Sequence, residues 1–153
     1  DYQPEIKVSE LCEEAACLYK APADWRRLCE QFGIGDKTGS SVKSLSGGER
    51  QRLFIVLALI PKPQVVFLDE LTTGLDARAR RGVWKILKEL KDSGLTIFLT
   101  SHLMDEVEAL CDEICILQKG QAVFYGTVAQ AKGKSGCDNF EDAYLKLSVE
   151  EIE

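Results

Sequence analysis

The chain has 153 residues, 45% of them hydrophobic and 29% charged, a length and balance that suit one compact globular domain. Its net charge of −6 argues against nonspecific nucleic-acid binding as the main role. No apolar run approaches the ~20 residues needed to span a bilayer, and no secretory signal is visible at the start.

Residues 1–44 read as a helical section. Val8 to Leu18 places Val8, Leu11, Ala15 and Leu18 on one helical face. Asp24 can cap a second helix through Trp25, Leu28, Cys29 and Phe32, which Gly33 and Gly35 end. Asp36 to Lys43 is a polar loop.

Leu45-Ser46-Gly47-Gly48-Glu49 follows. Ser46 and Glu49 have the spacing of a capping box, and the two glycines let the backbone approach a ligand. The free N–H groups and dipole of such a helix start favour phosphate. The helix runs through Arg50, Leu53, Ile55 and Val56 to Leu59, and Pro61-Lys62-Pro63 stops it.

Val65 to Leu68 is an apolar run of the kind expected in a sheet covered on both faces. Asp69 and Glu70 stand at its carboxyl end, where open α/β sheets place their ligands. One carboxylate there can hold Mg²⁺ through water, and the next can orient or deprotonate a water for attack on a phosphate. Thr72-Thr73-Gly74-Leu75-Asp76 comes next. Ala77 to Asp92 reads as an amphipathic helix with Val83, Ile86, Leu87 and Leu90 inward. Its basic residues Arg78, Arg80, Arg81, Lys85 and Lys88 read as a solvated face, since no aromatic interleaving for base stacking accompanies them. Ser93-Gly94 ends this helix. Thr96 to Thr100 is a second strand, parallel to the first by a right-handed crossover and leading to His102 at the same carboxyl edge.

Met104 to Leu110 reads as a short helix, Glu113 to Leu117 as a strand, Lys119-Gly120-Gln121 as a tight turn, and Ala122 to Tyr125 as the antiparallel return. A helical turn is expected over 126–131 and a final helix over 139–147, with Phe140, Ala143, Tyr144 and Leu147 inward. Glu150 to Glu153 is expected to fray. Gly133-Lys134-Ser135 imitates the end of a phosphate-binding loop, but the glycine that this loop needs five positions earlier is Val128 here. The cysteines Cys12, Cys17, Cys29, Cys111, Cys115 and Cys137 include no C-x-x-C pair and no nearby histidine completes a zinc set. A reduced set of buried thiols is expected.

Taken together, Leu45-Ser46-Gly47-Gly48, the strand ending in Asp69-Glu70, Gly74-Leu75-Asp76 and His102 appear in an order that resembles the ATP-binding subunit of ABC transporters. The resemblance covers nearly the whole chain but only the second part of the family's domain. It implies an α/β class: a partial P-loop NTPase fold with a mostly parallel sheet, preceded by a helical subdomain over 1–44. Residues 45–131 would form the signature helix and partial core, and 132–153 a C-terminal helix and tail. By resemblance, Ser46, Gly47, Gly48 and Glu49 belong to the signature that meets ATP, Asp69 to the Mg²⁺ site, Glu70 to catalysis, Asp76 to the D-loop and His102 to the switch. Gln3 lies near the family's Q-loop position, is followed at once by Pro4, and is not counted as a site residue. Leu71 replaces the family's usual proline, which puts turn rigidity in question, and Glu49 stands where many relatives have glutamine.

No G-x-x-x-x-G-K-[S/T] occurs in the sequence. In the family, two subunits face head to tail, so the signature would act in trans and Asp69, Glu70 and His102 in cis. The resemblance further implies ATP and Mg as cofactors, a transmembrane permease and a second ATP-binding subunit as partners, no nucleic acid, and a place at the cytoplasmic face of the cell membrane. The alternatives are an SMC-like or ribosome-directed ATPase and a non-catalytic interaction fragment. The absence of a heptad run for a coiled-coil arm favours the transporter. Without the missing loop the chain alone is expected to bind ATP weakly and hydrolyse none. The strands it lacks should leave an unpaired sheet edge and uncovered apolar surface, and hence a tendency to self-associate.

Overall fold

A computed structural model describes residues 5–149. Gln3 and the acidic end at 150–153 lie outside the described residues. The chain divides between Thr100 and Ser101 into two compact units. The sequence boundaries at 44/45 and 131/132 fall inside these units.

The first unit opens with helices α1 (Val8–Cys17) and α2 (Trp25–Gln31). The expected face of α1 is only partly right. Val8 and Cys12 are fully buried, while Leu18 is 78% exposed, because the buried face centres on Val8 and Cys12 and Leu18 lies about 100° round the helix from it. Asp24 caps α2 as its spacing predicts, accepting from the Arg26 and Arg27 N–H groups. Trp25, Leu28, Cys29 and Phe32 are buried. Gly33 leaves the helix at φ +65°, a conformation that a Cβ disfavours.

The polar loop after α2 carries two short 3-10 turns, Gly35–Lys37 and Val42–Ser44, and Val42 is fully buried. The Val42 N–H donates to Ile6 O at 2.9 Å and the Val8 N–H to Ser40 O at 3.0 Å, so the loop is tied to the segment entering α1. Helix α3 (Gly47–Leu59) follows and packs on α1 and α2. Six free cysteines are present, but the expectation that all are buried fails: Cys17 and Cys115 are exposed. Cys12 and Cys29 are the buried pair. The neighbouring Cys29 thiol and burial together push the Cys12 thiol up.

Strand β1 (Val65–Asp69) pairs in parallel with β2 (Thr96–Thr100), with Asp69 opposite Thr100, as the crossover predicts. Between them runs α4 (Ala77–Asp92), burying Val83 and Leu87. Trp84 lies within its basic stretch and carries the Arg80 guanidinium 5.4 Å over its ring, an aromatic engaged inside its own helix. The strand covered on both faces is a correction. Successive side chains point to opposite faces, and only Val66 and Leu68 are buried; Phe67 is 76% exposed and Phe98 57%. Those two rings pack on each other, 5.4 Å between centroids.

The second unit contains α5 (Met104–Leu110), the antiparallel pair β3 (Ile114–Gln118) and β4 (Gln121–Gly126), α6 (Val128–Ser135) and α7 (Phe140–Val149). Lys119 and Gly120 make the turn with φ of +50° and +81°, the twist a two-residue hairpin needs. Ile114, Ile116 and Phe124 of the hairpin pack with Ala131, Phe140, Ala143 and Leu147. The helical turn expected at 126–131 is a full helix reaching Ser135, started by a Thr127–Gln130 capping box and closed by Gly136 at φ +69°. Gly133, Lys134 and Ser135 are therefore the end of a helix, which removes them as a phosphate loop.

Candidate functional site

Ser46 begins α3 as the capping spacing predicts. Its Oγ accepts from the Glu49 N–H at 3.3 Å, and the Ser46 N–H donates to Glu49 Oε2 at 2.8 Å. Glu49 Oε1 also lies 3.4 Å from Lys37 Nζ. The Ser46 backbone N–H, then its side chain and the Lys37 charge, hold the Glu49 carboxyl below its ordinary range. Ser46 and Gly47 are exposed. The N–H groups of Gly47 and Gly48 fall in the first turn, where a helix offers no internal acceptor. The two glycines differ: nothing stands within 4 Å of a Cβ built on Gly47, whereas one on Gly48 would meet Leu75 Cδ2 at 2.7 Å. Gly48 is small because the loop after β1 crosses there.

Asp69 and Glu70 are exposed at the carboxyl end of β1. Thr100 Oγ1 donates to Asp69 Oδ1, so the partner strand orients this carboxylate. An exposed carboxylate with one oxygen so fixed is a hard-oxygen donor of the kind Mg²⁺ takes, usually with several waters retained. Glu70 has φ +45°, in the left-handed region. Its N–H donates to Thr100 O at 2.9 Å, and its carbonyl accepts from the Thr73 N–H at 3.1 Å and from Gln51 Nε2 at 3.0 Å. Leu71, where proline was expected, is buried. Together with these bonds and that from the Leu75 N–H to Thr72 O, it holds the turn.

Asp76 caps α4. Its Oδ1 accepts from both the Arg78 and Ala79 N–H groups at 2.9 Å. The Ala79 N–H, then that of Arg78 and the charges of Arg52 and Arg78, hold this carboxyl below its ordinary range. The structure thus gives Asp76 a definite local task at the helix start.

His102 is exposed and belongs to the second unit, two residues along the chain from Thr100. Beside it, Ser101 Oγ donates to Glu106 Oε2 at 2.6 Å and accepts from the Leu103 N–H at 3.1 Å. Glu106 is fully buried. Sequence reasoning overlooked Glu106, Thr100, Gln51 and Arg52. Arg52 donates through Nε to Gly48 O at 3.3 Å and through Nη1 to Phe32 O at 3.2 Å, fastening α3 to the end of α2. Gln51 and Arg52 reach partners about twenty residues away, which no local pattern announces. Ser101 and Glu106 carry a weak local signal, a hydroxyl and a carboxylate flanking the start of a short helix.

A strand-end acid pair beside a glycine-started helix, on a parallel strand pair, makes this an α/β protein with its carboxylates at the carboxyl edge of the strands. A solved structure described as an ATP-binding subunit of an ABC transporter superposes with a TM-score of 0.83 at 25% identity, over 96% of this chain and 64% of that one. A family model described as ABC transporter matches residues 2–73. The daunorubicin/doxorubicin resistance ATP-binding protein DrrA of Streptomyces peucetius is 40% identical over 129 residues, 82% of this chain and 39% of the relative. The Nod factor export ATP-binding protein I of Ralstonia nicotianae is 38% identical over 144 residues, 90% of this chain and 45% of the relative. The chain is thus similar to the ATP-binding subunits of ABC transporters, and it spans less than half the length of these two relatives.

Proposed function

We propose that this chain supplies the hydrolytic carboxylates and the signature tip of an ATPase that drives export through a membrane permease. The observation that carries the reading is the exposed Asp69–Glu70 pair at the end of β1, with Thr100 orienting Asp69. Asp69 would hold Mg²⁺ through water, the ion supplying charge neutralisation at the β- and γ-phosphates. Glu70 would take the proton of, or orient, the attacking water. By resemblance, His102 would donate to the γ-phosphate and sense its loss. Ser46, Gly47 and Gly48 would close over a nucleotide held by a second ATP-binding subunit, with Glu49 fixing the tip and Asp76 the loop facing it.

Residues 1–44 would rest against the permease as the helical subdomain, with 45–131 as signature helix and core and 132–153 as the tail, at the cytoplasmic face of the membrane. The relatives' names, drug resistance and Nod factor export, support export over import. An SMC-like ATPase is disfavoured by α1 and α2, which at 10 and 7 residues do not lead into a coiled-coil arm.

The test is ATP turnover in the complete subunit. Glu70→Gln should retain nucleotide binding and lose at least about a hundredfold in kcat, the scale of a general-base contribution. Turnover within twofold of the parent would refute the assignment. The chain alone should show no turnover and no fluorescent-nucleotide binding at micromolar concentration.

A further inference from the structure

We infer that Gln51 is a positioning residue for Glu70, an inference that rests on the hydrolytic reading of Glu70. Glu70 is not a glycine, yet it holds a left-handed backbone at φ +45°, which a side chain disfavours. Such a conformation persists where the surroundings over-determine it. Three hydrogen bonds do so: the Glu70 N–H to Thr100 O, the Thr73 N–H to Glu70 O, and Gln51 Nε2 to the same oxygen at 3.0 Å. The first two come from the adjoining strand and turn. The third is a side chain from another element, α3.

The direction of the Cα–Cβ bond follows from the backbone at that residue, so a group that holds the Glu70 peptide also aims its carboxylate. Gln51 sits three residues after Gly48, where α3 meets Leu75 of the loop after Glu70. One helix therefore carries the signature tip at its start and a strap on the Glu70 backbone one turn later. A carbonyl oxygen can only accept, so the strap needs a donor at the end of the residue-51 side chain.

Steady-state ATP hydrolysis by the complete subunit tests this, with Gln51→Glu, Gln51→Leu and Gln51→Lys beside Glu70→Gln. Gln51→Glu keeps the shape and loses the donor; Gln51→Lys keeps a donor. The expected result is a fall in kcat of about tenfold or more in Gln51→Glu and Gln51→Leu with KM within about twofold, because a misaimed group weakens the chemical step and not binding. Gln51→Lys should recover most of the loss, and melting temperatures should not track the kcat series. Unchanged kcat in Gln51→Glu and Gln51→Leu, with Glu70→Gln inactive, overturns the inference alone. An equal fall in all three Gln51 variants that follows melting temperature also overturns it, since that would be a packing effect. Full activity in Glu70→Gln overturns both this inference and the reading beneath it.

Discussion

Gly47 and Gly48 are neighbours in sequence and unlike in surroundings. A Cβ at Gly47 meets open space, while one at Gly48 meets Leu75 Cδ2 at 2.7 Å. Gly48→Ala should therefore push the end of the Leu75 side chain aside at a cost of about 1 kcal/mol or less, since that tip can move, and Leu75→Ala in the same chain should return part of it. Gly47→Ala should change stability by less than about 0.5 kcal/mol, so any activity it loses belongs to the exposed tip. Thermal unfolding of the three variants decides this; equal costs at both glycines would contradict the asymmetry. Glu49 and Asp76 make a second prediction. Both carboxyls lie below their ordinary range, held there by backbone N–H donors at a helix start. The fold favours their charged forms, so that stability is present above about pH 4, the unfolded carboxylate range. It is lost as pH falls through the depressed folded values. Glu49→Gln with Asp76→Asn, where asparagine still caps, should flatten the acid side of the stability profile followed by circular dichroism. An unchanged acid slope would count against the caps as its source.

At the scale of elements, local chemistry was legible in the sequence and distant contacts were not. Asp24, Ser46 and Thr127 each accept an N–H two or three residues ahead. A helix start of that kind depends on neighbours in the chain, although at Thr127 only a turn was expected. Removing such a cap, as in Asp24→Ala, should cost about 1 kcal/mol in chemical denaturation; no change would mean that packing alone sets the start of α2. The parallel pairing of β1 and β2 was equally readable, because the crossover has a preferred hand. The burial of β1 was not. Val65-Val66-Phe67-Leu68 is apolar at every position, so it contains no alternation that marks one face as outward. The straps on the site share this difficulty. Gln51 to Glu70 and Arg52 to Phe32 join residues 19 and 20 apart, and the side chains themselves fit an ordinary polar helix face.

At the scale of the whole molecule, the first unit exposes Val65, Phe67 and Phe98 on its strand pair. Contiguous apolar surface of this kind promotes association. Phe67→Lys should shift the chain toward monomer in sedimentation velocity, and an unaltered distribution would place self-association elsewhere. The account's central claim is that the Ser46 tip of one subunit and the Asp69–Glu70 pair of the other build the same nucleotide site. Hydrolysis by paired complete subunits tests it most directly, with Glu70→Gln and Ser46→Arg introduced either into one subunit together or one into each. Shared sites predict turnover when the lesions are split between subunits, since one site keeps both parts, and none when a single subunit carries both. Turnover in the second arrangement and not in the first would contradict the account.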